Sequence, residues 1–163
     1  MMTPDLPRRH AAVAAVLFAL ALGPGAPAQA GPDRLSVLLG SHHVNAARDF
    51  KEVNPGLFLT WEGAAWAGRL DLGAGVFRNS YGDGSAVGSV ALPMLAGDAW
   101  SVDAFAALAW YPGNGEQFDH AAGDIVPLAG VQARYGNVFM QALPGGGQGA
   151  DALVTFGLSF ALD

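Results

Sequence analysis

The sequence predicts an all-β fold, an eight-stranded antiparallel transmembrane β-barrel of the outer membrane, on three observations. An apolar leader opens the chain, the remainder divides into eight short runs of alternating hydropathy, and the connections between those runs alternate between tight and long. The composition agrees. Of 163 residues, 52% are hydrophobic and 13% charged, with 23 glycines and no cysteine. That balance is the reverse of a disordered chain. A formal net charge of −6 leaves no electrostatic footprint for nucleic acid, and the missing cysteine excludes disulfides, thiol nucleophiles and thiolate metal sites.

Residues 1–30 read as a signal peptide. Arg8 and Arg9 precede the apolar run 11–22, and Ala28, Gln29 and Ala30 place small residues where a signal peptidase cuts. The run is shorter than the ~20 residues of a comfortable transmembrane helix. Residues 31–163 then form a single barrel domain that acts outside the cytoplasm. No later stretch approaches about 18 uninterrupted apolar residues, so only strands are left to cross a bilayer.

Strands are predicted at 34–43, 56–63, 66–78, 85–95, 99–111, 124–135, 137–143 and 151–162, bounded by Gly, Asn, Asp and Pro. Each is near the ~9–11 residues that cross a bilayer as a tilted strand. Tight turns follow the second, fourth and sixth strands, at 63–65, 96–98 and 135–137; longer polar loops follow the others. Short inner turns and long outer loops are the asymmetry of an outer-membrane barrel.

Taken in order, the strands also assign their faces. The third places Arg69, Asp71, Gly73, Gly75 and Phe77 inward. The fifth turns Trp100, Val102, Ala104, Ala106, Leu108 and Trp110 outward, with tryptophans at the two girdle levels, and Ser101, Asp103, Phe105, Ala107 and Ala109 inward. A soluble barrel would carry polar residues on that outward face. The sixth turns Val126, Leu128, Gly130, Gln132 and Arg134 inward, and the eighth presents Val154, Phe156, Leu158 and Phe160 to lipid.

The inward sets share one polarity gradient. Arg69, Asp71, Asp103, Gln132 and Arg134 form a charge-paired plug in the inner half. Above it, Gly73, Gly75, Phe105, Ala107, Ala109 and Leu128 line a space suited to a hydrocarbon chain. Pro127 interrupts a strand ladder in a barrel with no edge, and marks a lateral opening for a lipid tail.

The outer rim collects the reactive residues. Ser41, His42 and His43 end the first strand, Arg78, Asn79 and Ser80 end the third, residues 116–120 occupy the third outer loop and Asp151 starts the last strand. Histidine, serine and a hydrogen-bonding partner are the parts of an activated hydroxyl. No fixed ligand spacing supports a metal among His42, His43, Asp119 and His120, and neither a phosphate loop nor a serine elbow is present. The reading therefore expects no metal and no cofactor.

At these residues the chain resembles the outer-membrane lipid A palmitoyltransferases. Residues 50–56 (FKEVNPG) are similar to that family's YNERPWG, 75–81 (GVFRNSY) to its AFKDSW, 126–136 (VPLAGVQARYG) to its LPLASVGYG, and 143–145 (LPG) to its IPG. The resemblance implies an eight-stranded barrel that moves a palmitoyl chain from a membrane phospholipid to lipid A, as a monomer. By position it makes Ser80 the catalytic serine and His42 or His43 the catalytic histidine. Asn79 stands where the family has an aspartate; it can orient an imidazole but cannot supply the negative charge that stabilises an imidazolium. The family's helix before the barrel is also missing, since residues 31–33 lead directly into the first strand. Two functions follow as expectations: a lipid-modifying enzyme that moves or cleaves an acyl chain at the outer leaflet, or a non-enzymatic small barrel for adhesion, receptor blocking or envelope structure.

Overall fold

The computed structural model describes residues 31–145 and 149–162; the expected signal peptide lies outside them. Among the described residues, eight antiparallel strands close into one barrel: β1 (Arg34–Val44), β2 (Gly56–Ala65), β3 (Leu70–Arg78), β4 (Gly84–Ala96), β5 (Trp100–Trp110), β6 (Ile125–Tyr135), β7 (Val138–Pro144) and β8 (Ala152–Ala161). Each strand pairs with its neighbours in sequence, and β8 closes on β1. One end carries the short connections 66–69, 97–99 and 136–137; the other carries the longer loops, including a 3₁₀ turn at Gly115–Gln117. We call these the turn end and the loop end.

Period-two alternation places the side chains as expected on most strands. On β5, Ser101, Asp103 and Ala109 are buried while Trp100 and Trp110 are exposed at the two ends. On β8, Thr155, Gly157 and Ser159 point in and Phe156 and Phe160 are exposed outside. Leu57, Val76, Val131 and Met140 continue this apolar outer band around the wall.

Two expectations at the turn end need correction. The first tight turn is at 66–69 and not 63–65, and β3 begins at Leu70 and not at residue 66. The backbone explains the shift: Trp66, Ala67 and Gly68 take φ of 47°, 56° and 83°, a left-handed run that no strand tolerates. As a result Arg69 is exposed in the turn and is not part of the interior plug. Its place is filled by Arg34, whose Nε donates to Glu62 Oε1 at 3.0 Å.

The second irregularity lies in β1. Its register on β8 shifts between Leu38 and Gly40, so Leu39 bulges and the inward face changes from even to odd residues. Gly40 permits this. A Cβ there would stand 2.6 Å from the Glu52 carbonyl oxygen and 3.2 Å from the Phe156 ring.

Candidate functional site

The interior is polar at the turn end and apolar at the loop end. Asp103 accepts from Ser101 Oγ (3.3 Å) and Gln132 Nε2 (3.4 Å), Gln141 donates to Gln132 (2.9 Å), and Thr155 donates to Gln141 (3.0 Å). Asp71 accepts the Gly63 N–H at 2.7 Å, and Ser36 donates to Ser159 at 2.9 Å. The bonds from Asp103 to Thr155 run from strand to neighbouring strand over β5, β6, β7 and β8 and satisfy the polar side chains facing the interior. A cavity of about 150 Å³ runs from these polar residues, Asp71, Asp103 and Gln132 among its lining, to apolar ones such as Phe105, Leu128 and Leu143.

Of the six residues expected to line an acyl pocket, Gly73, Phe105, Ala107 and Leu128 line this cavity. Gly75 and Ala109 do not. The Phe58 ring occupies the space beside Gly75. Ala109 is fully buried in a cluster with Tyr111 and Val126, of which Tyr111 reaches the cavity. That cluster is the floor of an aromatic cap that closes the loop end, in which Tyr111 meets Phe77, Tyr81 and Phe118 at ring-centroid distances of 5.8, 6.5 and 4.8 Å. A cavity of this size takes a group as large as benzene.

Pro127 stands beside an incomplete seam. β6 pairs with β5 along its whole length, but with β7 only from Val131 to Tyr135. Among the described residues, β6 residues 128–130, next to Pro127, have no ladder to β7, which ends at Pro144. Leu128 and Leu143, on either side of this gap, both line the cavity.

At the rim, the bulge at Leu39 separates the two histidines. His42 pairs with Val154 on the outward face, is exposed, and holds Glu52 Oε1 at 3.0 Å through Nδ1. His43 pairs with Leu153 on the inward face and is 9% exposed, its ring stacked 4.0 Å from Phe50. Its Nδ1 has no hydrogen-bond partner among the described residues. Asn79 is 1% exposed and wholly committed to its own loop: Oδ1 accepts the N–H groups of Tyr81, Gly82 and Asp83 at 2.9 to 3.0 Å, and Nδ2 donates to Ser85 at 3.0 Å. Ser80 contributes its backbone carbonyl, which accepts the Lys51 N–H at 3.0 Å. Among the described residues neither histidine hydrogen-bonds Asn79 or Ser80, so the four expected residues share a rim without forming a relay.

Residues 45–55, between β1 and β2, contribute the side chains that the sequence pattern left unread. Asn54 is 3% exposed and accepts from Ser41 Oγ at 2.5 Å, while its Nδ2 has no partner. Arg48 donates to Gln117 (2.8 Å) and to the Tyr81 hydroxyl (3.2 Å), and its guanidinium lies 5.0 Å from the centre of the Phe50 ring. The signal in the sequence is the pair Glu52 and Asn54, polar residues directly before a proline and a strand. His43 Nδ1 and Asn54 Nδ2 are the buried side-chain atoms without a hydrogen bond among the described residues. Each costs about 1–3 kcal/mol unless a partner arrives.

No family model matches the chain, and no curated protein matches it.

Proposed function

We propose that this chain is a lipid-modifying barrel of the outer membrane, resembling the lipid A palmitoyltransferases, which takes an acyl chain from the side and moves or cleaves it at the outer leaflet. The observation that carries the reading is the gap between β6 and β7, flanked by Pro127 and Pro144 and opening over an interior lined by Leu128, Leu143 and Phe105. Ladder bonds omitted in hydrocarbon are costly, and a seam without them is the weakest point at which a lipid tail could enter sideways. The exposed apolar wall and the tryptophans at both ends of β5 support the membrane setting. Membrane phospholipid and lipid A are the partners of this reading. His43, inward and with a free ring nitrogen, is the base it requires; His42, turned outward, is not.

A second reading, a non-enzymatic small barrel, is favoured by one observation: Asn79 is used up inside its loop and cannot orient a histidine. Mass spectrometry of phospholipid and lipid A from cells expressing the chain separates the two. The enzyme reading expects altered acylation that is lost in His43→Ala. Unchanged lipids with the barrel correctly inserted would leave the non-enzymatic reading standing.

A further inference from the structure

His43 and Asn54 both meet the loop-end stretch of β1. Asn54 is anchored on Ser41, and Ser41 and His43 are alternate residues on the inward face of β1, their Cα atoms about 7 Å apart. The β8 partners of Ser41 and His43 are Thr155 and Leu153, and both line the cavity, so the pair stands level with its loop end. The Ser41 contact also sets the amide's direction. At 2.5 Å the separation is that of a hydroxyl on a carbonyl oxygen, which leaves the N–H groups of Asn54 as the unused side.

We propose that His43 and Asn54 form a polar subsite for the acyl ester of a membrane lipid, with Asn54 donating to the ester carbonyl oxygen. The inference rests on the lipid-modifying reading and names the group that the site holds. In the tautomer with its proton on Nε2, His43 Nδ1 offers a lone pair to the hydroxyl that attacks the ester. That hydroxyl gives its proton to Nδ1 as its oxygen bonds to the carbonyl carbon. The C=O electron pair moves onto the carbonyl oxygen, where the Asn54 N–H meets it. Collapse restores the carbonyl and expels the original alkoxide, which takes the proton back from the imidazolium. Phe50, stacked on His43 and 5.0 Å from the Arg48 guanidinium, covers the His43 ring, so the ester enters when the Phe50 side chain swings aside while Asn54 stays anchored on Ser41.

The test is a titration of the full-length barrel, in a non-ionic detergent, with short-chain diacyl phosphocholine, its dialkyl ether analogue and lipid A, read by the side-chain ¹⁵N signals of Asn54 and His43. The ester lipid shifts both signals and the ether analogue does not. A response confined to the phosphocholine assigns the subsite to a glycerophospholipid ester, and one confined to lipid A assigns it to a lipid A ester. Asn54→Asp retains the acceptor for Ser41 but removes the N–H donor. It weakens ester binding about tenfold while the backbone spectrum stays that of the folded barrel. Equal responses to ester and ether, no response to any of the three, or full ester affinity in Asn54→Asp would overturn the proposal. These outcomes are independent of whether cellular lipids change, so a failure here is distinct from a failure of the enzyme reading.

Discussion

Asn79 has the place of a catalytic orienter in the sequence and the hydrogen bonds of a loop organiser in the structure. Its position before Ser80 suggests a catalytic orienter, yet its oxygen gathers three backbone N–H groups and its nitrogen meets Ser85. Asn79→Ala strands those donors in a buried turn and is expected to cost about 2–3 kcal/mol in urea unfolding of the refolded barrel. Asn79→Asp keeps the acceptor, and the Ser85 hydroxyl can reverse to donate, so the loss stays under about 1 kcal/mol. Tyr111 and Tyr81 add a pH dependence. Burial raises both phenols above their ordinary value, with the Arg48 charge opposing it in part at Tyr81. The unfolded chain releases these protons from about pH 10 while the folded chain keeps them, so stability is full below that pH and falls as pH rises beyond it. Tyr111→Phe should flatten the drop in urea midpoint between pH 9 and pH 11.

At the scale of elements, residues 45–55 behave as a strap rather than a loose loop. The Ser41 N–H donates to the Glu52 carbonyl (2.8 Å), the Lys51 N–H to Ser80 (3.0 Å) and the Ala47 N–H to Gly149 (2.7 Å), while Arg48 reaches Gln117 and Tyr81. Arg48→Ala removes its side-chain contacts to Gln117 and Tyr81 and leaves the backbone bonds to hold this segment on its neighbouring loops. Limited proteolysis should then cut within residues 45–55 several times faster than in wild type, with the strands still protected. The β6 and β7 gap has its own test. Continuing the register from Val131 with Ala142 places Ala129 opposite Pro144. The chain has no native cysteine, so Ala129→Cys and Pro144→Cys joined by a bis-thiol cross-linker staple the seam specifically. Stapling should abolish acyl transfer or cleavage, and cleaving the linker should restore it. Activity that survives the staple would remove the seam from the mechanism.

For the whole molecule, the question is what solvent the outer wall meets. Phe156 sits mid-strand on β8, outward and 43% exposed, opposite Met140 on β7. In lipid, Phe156→Lys costs about 2–4 kcal/mol near the midplane. In water it costs little. Refolding into phospholipid vesicles, scored by the fraction of heat-modifiable barrel on a gel, should fall sharply for this variant; an unchanged yield would speak for a soluble barrel.

Eight strands, their faces on β5, β6 and β8, and the polar-to-apolar gradient inside were legible from the sequence, because alternation is local and a barrel wall enforces it at every residue. The turn at 66–69 was not, since Trp66 and Ala67 adopt left-handed backbone that their residue types disfavour. Nor was the choice between His42 and His43. Strict alternation from Arg34 would turn His42 inward; the bulge at Leu39 reverses this and buries His43 instead. That bulge depends on Glu52 from the following loop and on Phe156 from the last strand, both pressed against Gly40. The pattern along one strand therefore determined that a histidine would enter the barrel, and contacts between segments distant in sequence decided which one.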